Sequence, residues 1–282
     1  MSIEIERSQA ARAAAELALV RVVHHYGSLP EFVVLGGLVP QLLCSSANLR
    51  HAGTTDIDVQ VDLEIAAGAV NAARLERALI AAGFSPDDER VWRWVTPVGM
   101  HKTEVKFELL ADLDTEPAGA TVKFEGAETL GAANLRGTGS AVADVQIRTL
   151  TALDGQVELS VDVQVTGIAG FLLAKVAAAQ SRRKPKDWYD IAFVLLHNDE
   201  GGPQAATQTA IERLPSRLRG VASGLQDLAA NFSDEDAQGP AAYAGQLLID
   251  HPEMEPATAA ADAQLAIEYF CSTLLAQIEA SS

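Results

Sequence analysis

Asp56 and Asp58 stand one residue apart in "TTDIDVQV", a run in which polar and apolar residues alternate. Side chains at i and i+2 of a strand point to the same face, so the two carboxylates converge. Carboxylates held that close repel one another unless they share a proton or flank a hard divalent cation, and Mg2+ with carboxylate and phosphate oxygens suits that place. A solvated strand edge with Asp56 capping a turn explains the same triplet without a ligand. A third carboxylate, Glu108 in "VKFELLAD", lies on a second alternating run where Glu104, Lys106 and Glu108 share one face. If the two strands pair, Glu108 completes a three-carboxylate metal site. The alternative is a polar face turned to solvent, with Glu104 and Asp112 as substitute ligands.

Phosphate chemistry has its own candidates. Upstream, "VVLGG" reads as a strand stopped by Gly36 and Gly37, and glycines let backbone amides approach a phosphate that a helix N-terminus also favours. A tight strand-to-helix turn without a ligand accounts for the pair as well. No serine or threonine follows the glycines, which leaves Thr54 and Thr55 to supply a hydroxyl. Further along, Lys175 interrupts the apolar "GFLLAKVAAA", and burying an unpaired ammonium is costly. It must meet a carboxylate, Asp190 or Asp187, or a phosphate. Arg182, seven residues on, lies on nearly the same helix face. Pro185 should end that helix, Asp187 should cap the next, and Lys186 should sit in the turn between. Arg182, Arg183, Lys184 and Lys186 form the only dense basic cluster, either a solvated helix end or a local RNA contact.

The elements that must hold these groups follow from periodicity. Residues 5–25 have helical spacing, 32–35 a short buried strand, 38–44 a brief helix, 57–63 a strand and 66–82 a helix closed by Gly83. Two alternating runs, 91–96 and 103–110, form a hairpin around a Pro and Gly turn, and two more, 143–151 and 156–165, flank Asp154-Gly155, a hairpin signal. After Thr166 the pattern turns helical: 167–183, 187–197, 204–229 and 258–280, with a polar break at 231–240. Trp92 and Trp94 share a strand face and either stack on a base or pack in the core.

Composition bounds the partners. The 282 residues are 48% hydrophobic, enough for one large or two modest folded domains. A formal charge of −17 repels polyanions and excludes nonspecific coating of nucleic acid, so any such contact is local. A divalent metal or a basic partner protein is compatible with that surface. Cys44 and Cys271 sit among apolar residues without metal-ligand spacing, as buried thiols do. The six histidines lack zinc spacing, and neither a P-loop nor a G-x-S-x-G nucleophile elbow occurs. No run of 18 apolar residues is present and the start is acidic where a secretory signal is basic, so the expected location is cytoplasmic, away from membranes.

The order apolar-Gly-Gly, Asp-x-Asp, then a carboxylate on a later strand resembles the polymerase-β-type nucleotidyltransferase superfamily. The block "FLLAKVAAAQSRRKPKDWYDIAFVL", 171–195, is similar to the "KDxYDI" block of the AbiEii and AbiGii type nucleotidyltransferase toxins, which include the MenT enzymes of mycobacteria. The likeness spans residues 32–195, and a longer loop between Gly37 and Asp56 departs from many members. It implies an α+β fold: a polymerase-β-like mixed sheet with flanking helices over 1–165, then a C-terminal helical bundle over 166–282 that completes the active site. It implies a metal-dependent enzyme, the toxin of a type IV-like toxin-antitoxin pair, moving NMP from an NTP to the 3′ end of tRNA and so blocking translation. Asp56, Asp58 and Glu108 are then the Mg2+ or Mn2+ ligands and catalytic residues with Lys175 and Asp187. Gly36, Gly37, Thr55, Lys175 and Arg182 bind the nucleotide, while Arg182, Arg183, Lys184 and Lys186 touch RNA. A cognate antitoxin is the implied protein partner. Transfer to a protein hydroxyl, and a catalytically silent binding module, are the alternatives.

Overall fold

The computed structural model describes residues 8–61, 69–98, 103–124 and 126–281, the side chains of Ala69 and Val70 excepted. The start of the first helix, the tail of the strand at 62–63, the start of the helix at 66–68, and the hairpin turn at 99–102 with His101 lie outside the described residues.

In chain order the elements are α1 (Gln9–Tyr26), β1 (Phe32–Leu35), a 3-10 turn at Gly36–Leu38, α2 (Val39–Leu43), β2 (Asp56–Val61) and α3 (Ala69–Ala81). Then come β3 (Ser85–Pro86), β4 (Arg93–Val98), β5 (Thr103–Ala111), β6 (Thr121–Lys123), β7 (Gly131–Asn134), α4 (Gly139–Ala143), β8 (Val145–Asp154) and β9 (Val157–Thr166). Helices follow: α5 (Ile168–Arg182), α6 (Pro185–His197), α7 (Pro203–Arg213), α8 (Pro215–Leu218), α9 (Ala222–Asn231), α10 (Gln238–Asp250) and α11 (Pro256–Ala280). This is a mixed α/β chain.

It divides into two compact units, Met1–Val39 with Gly53–Thr166, and Pro40–Ala52 with Gly167–Ser282. In the first unit, the described residues form one nine-stranded mixed sheet of order β3-β4-β5-β2-β1-β9-β8, with β7 joined to β5 and β6 to β7. Its centre carries the residues of interest. Strand β2 runs antiparallel to β1 and parallel to β5, and β4 is antiparallel to β5. Strand β1 is buried along its whole length, as an uninterrupted apolar run requires. Helix α1 starts at Ser8, whose hydroxyl accepts the Ala11 N–H at 3.1 Å, and ends at Gly27 in the left-handed region. Its small and branched residues, among them Ala15, Ala18, Leu19 and Val22, are buried where α1 packs on β5, β8 and β9. Each fully buried Leu, Ile or Phe in such a core contributes about 1.5–3 kcal/mol.

The β8–β9 hairpin closes one residue later than Asp154-Gly155 suggested. Asp154 pairs with Val157, which leaves Gly155 and Gln156 as the loop, and Gly155 has φ 65 while Gln156 does not lie at positive φ. Glycine at the first loop position is the requirement of a II′ turn. Strands β3, β6 and β7, α4 and α10 were not expected. Most are too short to show a period, and α10 begins inside the polar stretch that reads as a break.

The second unit is helical, and it includes Pro40–Ala52, which the sequence placed with the sheet. The helix expected over 204–229 is broken at Leu214-Pro215 into α7, α8, a 3-10 turn and α9, because proline has no N–H for the ladder and crowds the preceding turn. Phe193, Ile267, Phe270 and Leu274 are wholly buried, and the rings of Tyr189 and Tyr243 stack at 5.8 Å. Cys44 and Cys271 are both buried free thiols, and burial raises both, Cys271 to about 12.

Candidate active site

The sheet brings the first group of candidates onto one face. In the β2–β5 register Asp58 lies beside Glu108 and Asp56 beside Lys106, while in the β4–β5 register Arg93 lies opposite Glu108. Asp58 also pairs with Leu35, the last residue of β1, so the chain enters Gly36 next to the Asp58 side chain. Asp58 there leaves no room for a side chain: a Cβ on Gly36 would fall 1.9 Å from Asp58 Oδ2. Gly36 has φ 76 as well, so both its backbone and its surroundings demand glycine. A Cβ on Gly37 would fall 2.9 Å from Thr54 Cβ, and Thr54 Oγ1 accepts the Asp56 N–H at 3.1 Å. Thr54 is therefore the hydroxyl at the glycine turn. Thr55 is buried, and its carbonyl accepts the Lys106 N–H at 3.0 Å.

Two cations share the face with the carboxylates. Arg93 donates Nε to Glu108 Oε1 at 2.6 Å and closes the ion pair through Nη2, and Lys106 Nζ stands 3.7 Å from Asp56 Oδ1. Neither cation stood out in the sequence, because Lys106 reads as part of a polar face and the partner of Arg93 is fixed by strand pairing. Among the described residues no group of three or more His, Cys, Asp or Glu side chains is placed to hold a metal ion. Asp56 and Asp58 supply hard oxygens beside a glycine turn with no side chains of its own, a donor set that fits a divalent cation and phosphate. Glu108 is adjacent but committed to Arg93. Trp94, on β4, is fully buried, which assigns it to the core.

The second group lies within the helical unit. Lys175 on α5 donates to Asp190 Oδ2 at 2.6 Å and to Asp187 Oδ1 at 3.1 Å, both on α6, and Arg182 reaches the same Asp187 oxygen at 2.8 Å. Burial works to lower the Lys175 pKa, but Asp190 and then Asp187 outweigh it and hold the ammonium above its ordinary value. The internal ion pair is thus formed. Asp187 is fully buried, and its Oδ2 has no hydrogen-bond partner among the described residues. Asp187 does not cap α6: the cap is Lys184 and Pro185 takes the first helical position, which puts Lys186 and Asp187 inside the first turn. That one-turn shift points the Asp187 carboxylate at Lys175 and Arg182, away from the helix's own amides.

His51 extends this network, and nothing in its sequence spacing indicated that. Its Nε2 lies 3.0 Å from Asp190 Oδ1, its N–H donates to Gln41 Oε1, and the next N–H, of Ala52, donates to the Tyr189 hydroxyl. The segment that follows α2 is tied in this way to α6. Of the basic cluster, Arg182 is engaged by Asp187 and Arg183 by Asp227 at 2.7 Å, while Lys184 is exposed and Lys186 half-buried. Arg183 sits at φ 48, the one non-glycine residue at positive φ among those described.

No family model matches this chain, and no curated protein matches it. Among the described residues no helix is long and apolar enough to cross a membrane.

Proposed function

We propose that this chain is a nucleotidyltransferase with the polymerase-β-type fold, moving NMP from an NTP to an acceptor hydroxyl with release of pyrophosphate. One observation carries the reading: the Gly36-Gly37 turn at the end of β1 is packed against Asp58, with Asp56 on the same face and Glu108 in register beside it. Asp56 and Asp58 would hold Mg2+ or Mn2+, whose contribution when bound is to neutralise triphosphate charge and polarise the phosphorus under attack. The glycine turn lets backbone amides close on the phosphates. Lys106 adds a cation beside Asp56. Glu108 is the third carboxylate, and it must leave Arg93 before it serves the acceptor hydroxyl.

In the helical unit, Lys175 and Asp187 occupy the lysine and aspartate positions that the family resemblance treats as active-site residues. The same resemblance makes the 3′ end of tRNA the acceptor, a cytoplasmic toxin-antitoxin pair the setting, and a cognate antitoxin the partner. With so acidic a chain, RNA would be met locally, through Lys184 and Lys186 with Arg182 and Arg183.

A second reading has its own support. Arg93 and Lys106 already balance much of the carboxylate charge, as they would in a catalytically silent module. Incubating the purified protein with Mg2+, each labelled NTP in turn, and either tRNA or a protein lysate separates the readings, with Asp58→Asn as the control. Label on tRNA that requires Asp58 supports the proposal. Label on protein moves the acceptor to a protein hydroxyl, and no label on either, without NTP binding, leaves the silent module.

A further inference from the structure

We infer that Arg12 binds the triphosphate of the NTP, an inference that rests on the nucleotidyltransferase reading and adds to it a residue outside the Gly-Gly and Asp-x-Asp motifs. Arg12 lies on α1 and is 7% exposed. Its Nε and Nη2 both donate to Glu16 Oε1, at 2.8 and 2.5 Å, while the buried Nη1 has no hydrogen-bond partner among the described residues. A guanidinium cannot shed its proton, and a buried donor left unmade keeps its full desolvation cost. An oxyanion arriving at Nη1 removes that cost, and Glu16 already holds the fork in one orientation for it.

Neighbouring residues argue for phosphate as that oxyanion. The Arg12 N–H donates to the Ser8 carbonyl at 3.0 Å, and Ser8 is packed on Gly53 so closely that a Cβ there would fall 1.8 Å from the same carbonyl oxygen. Gly53 leads straight into Thr54, which flanks Gly37 and accepts the Asp56 N–H, and Gly36 follows against Asp58. Helix α1 also packs on the Gly36–Leu38 turn and on β2. The start of α1 at Ser8, Gly53 on its backbone, Thr54 against Gly37, and Asp58 against Gly36 thus follow one another within the sheet unit. On the carboxylate face, Arg93 is taken by Glu108 and Lys106 stands by Asp56. Arg12 is a further positive group, carried on the helix that packs on the glycine turn, and its orphaned Nη1 donors match phosphate oxygens.

The test is calorimetric titration, with Mg2+ present, of the wild type, Arg12→Gln and Asp58→Asn with inorganic triphosphate and with each of the four NTPs. The expected result is binding by the wild type that Arg12→Gln weakens tenfold or more, with the thermal midpoint of the ligand-free variant no lower than that of the wild type. Equal affinity in Arg12→Gln and wild type overturns the inference while leaving the enzymatic reading intact. Wild type that binds neither triphosphate nor any NTP overturns both. If Arg12→Gln does not fold, Glu16→Gln is read in its place, since it keeps the guanidinium and removes the competing carboxylate. Tighter triphosphate binding then supports the inference, and unchanged or weaker binding overturns it.

Discussion

The Asp58 carboxylate fills the space that a side chain at Gly36 would need, 1.9 Å from where its Cβ would stand. The last turn of β1 and the metal-ligand candidate of β2 are thereby locked together. Gly36→Ala must both adopt a left-handed backbone, at about 1–2 kcal/mol, and displace Asp58, at roughly 1–3 kcal/mol of overpacking. Denaturant unfolding should show a loss of about 2–5 kcal/mol, set by those two costs. In an Asp58→Gly background the same change should cost only the backbone part. Equal costs in the two backgrounds would mean that the contact contributes nothing.

Arg93 competes with a cation for Glu108. Replacing it with glutamine removes the ion pair, leaves Glu108 beside Asp58, and raises the negative charge of the face. Mn2+ binding followed by calorimetry should therefore tighten in Arg93→Gln, by about tenfold for a partner worth ~1.4 kcal/mol. Unchanged Mn2+ affinity would remove Glu108 from the ligand set.

Lys175 reaches both Asp187 and Asp190, while Arg182 reaches Asp187. Lys175→Met leaves buried carboxylates uncompensated and should cost about 3–5 kcal/mol, the usual range for breaking a buried pair from one side. The pH dependence has a definite sign. Because the folded pKa is raised, the stabilisation is complete below the unfolded value of about 10.4 and declines as pH rises through the folded value. Wild type should lose more stability between pH 9 and pH 11 than Lys175→Met does.

His197 behaves in the opposite sense. Burial, followed by the nearby His251, lowers its pKa to about 4, and its Nε2 lies 2.9 Å from the Tyr243 hydroxyl. The unfolded chain takes up the proton near pH 6.5 and the folded chain does not, so stability falls as pH drops from about 6.5 towards 4. At pH 5 the loss relative to pH 7.5 is about 2 kcal/mol from this group, taking 1.36 kcal/mol per pH unit. His197→Gln should reduce the fall by that amount in urea unfolding at the two pH values. A fall of equal size in both proteins would place its origin elsewhere.

Much of the sheet was legible locally. An apolar run before two glycines is a buried strand with a sharp stop, and Phe32–Leu35 is that strand; a two-residue period identifies β2 and β5, and it alone places Asp56 with Asp58 and Lys106 with Glu108. A lysine inside an apolar helix required a carboxylate or a phosphate, and Lys175 meets two carboxylates. Helical periodicity likewise marked α5, α6 and α11, and the missed break at Pro215 shows that a proline outweighs the pattern around it.

Tertiary structure decided who faces whom. Which cation reaches Glu108, which threonine meets the glycine turn, and that His51 joins Asp190 are consequences of strand order and of where the loop after α2 lies. Such contacts join residues far apart in the chain, while periodicity records only which side of its own element a residue occupies. The amino-acid sequence by itself therefore determined the chemical types and their faces. Distances, ion pairing and the orphaned donor of Arg12 came only with packing, because they depend on the register between elements, for which a single strand or helix carries no local signal.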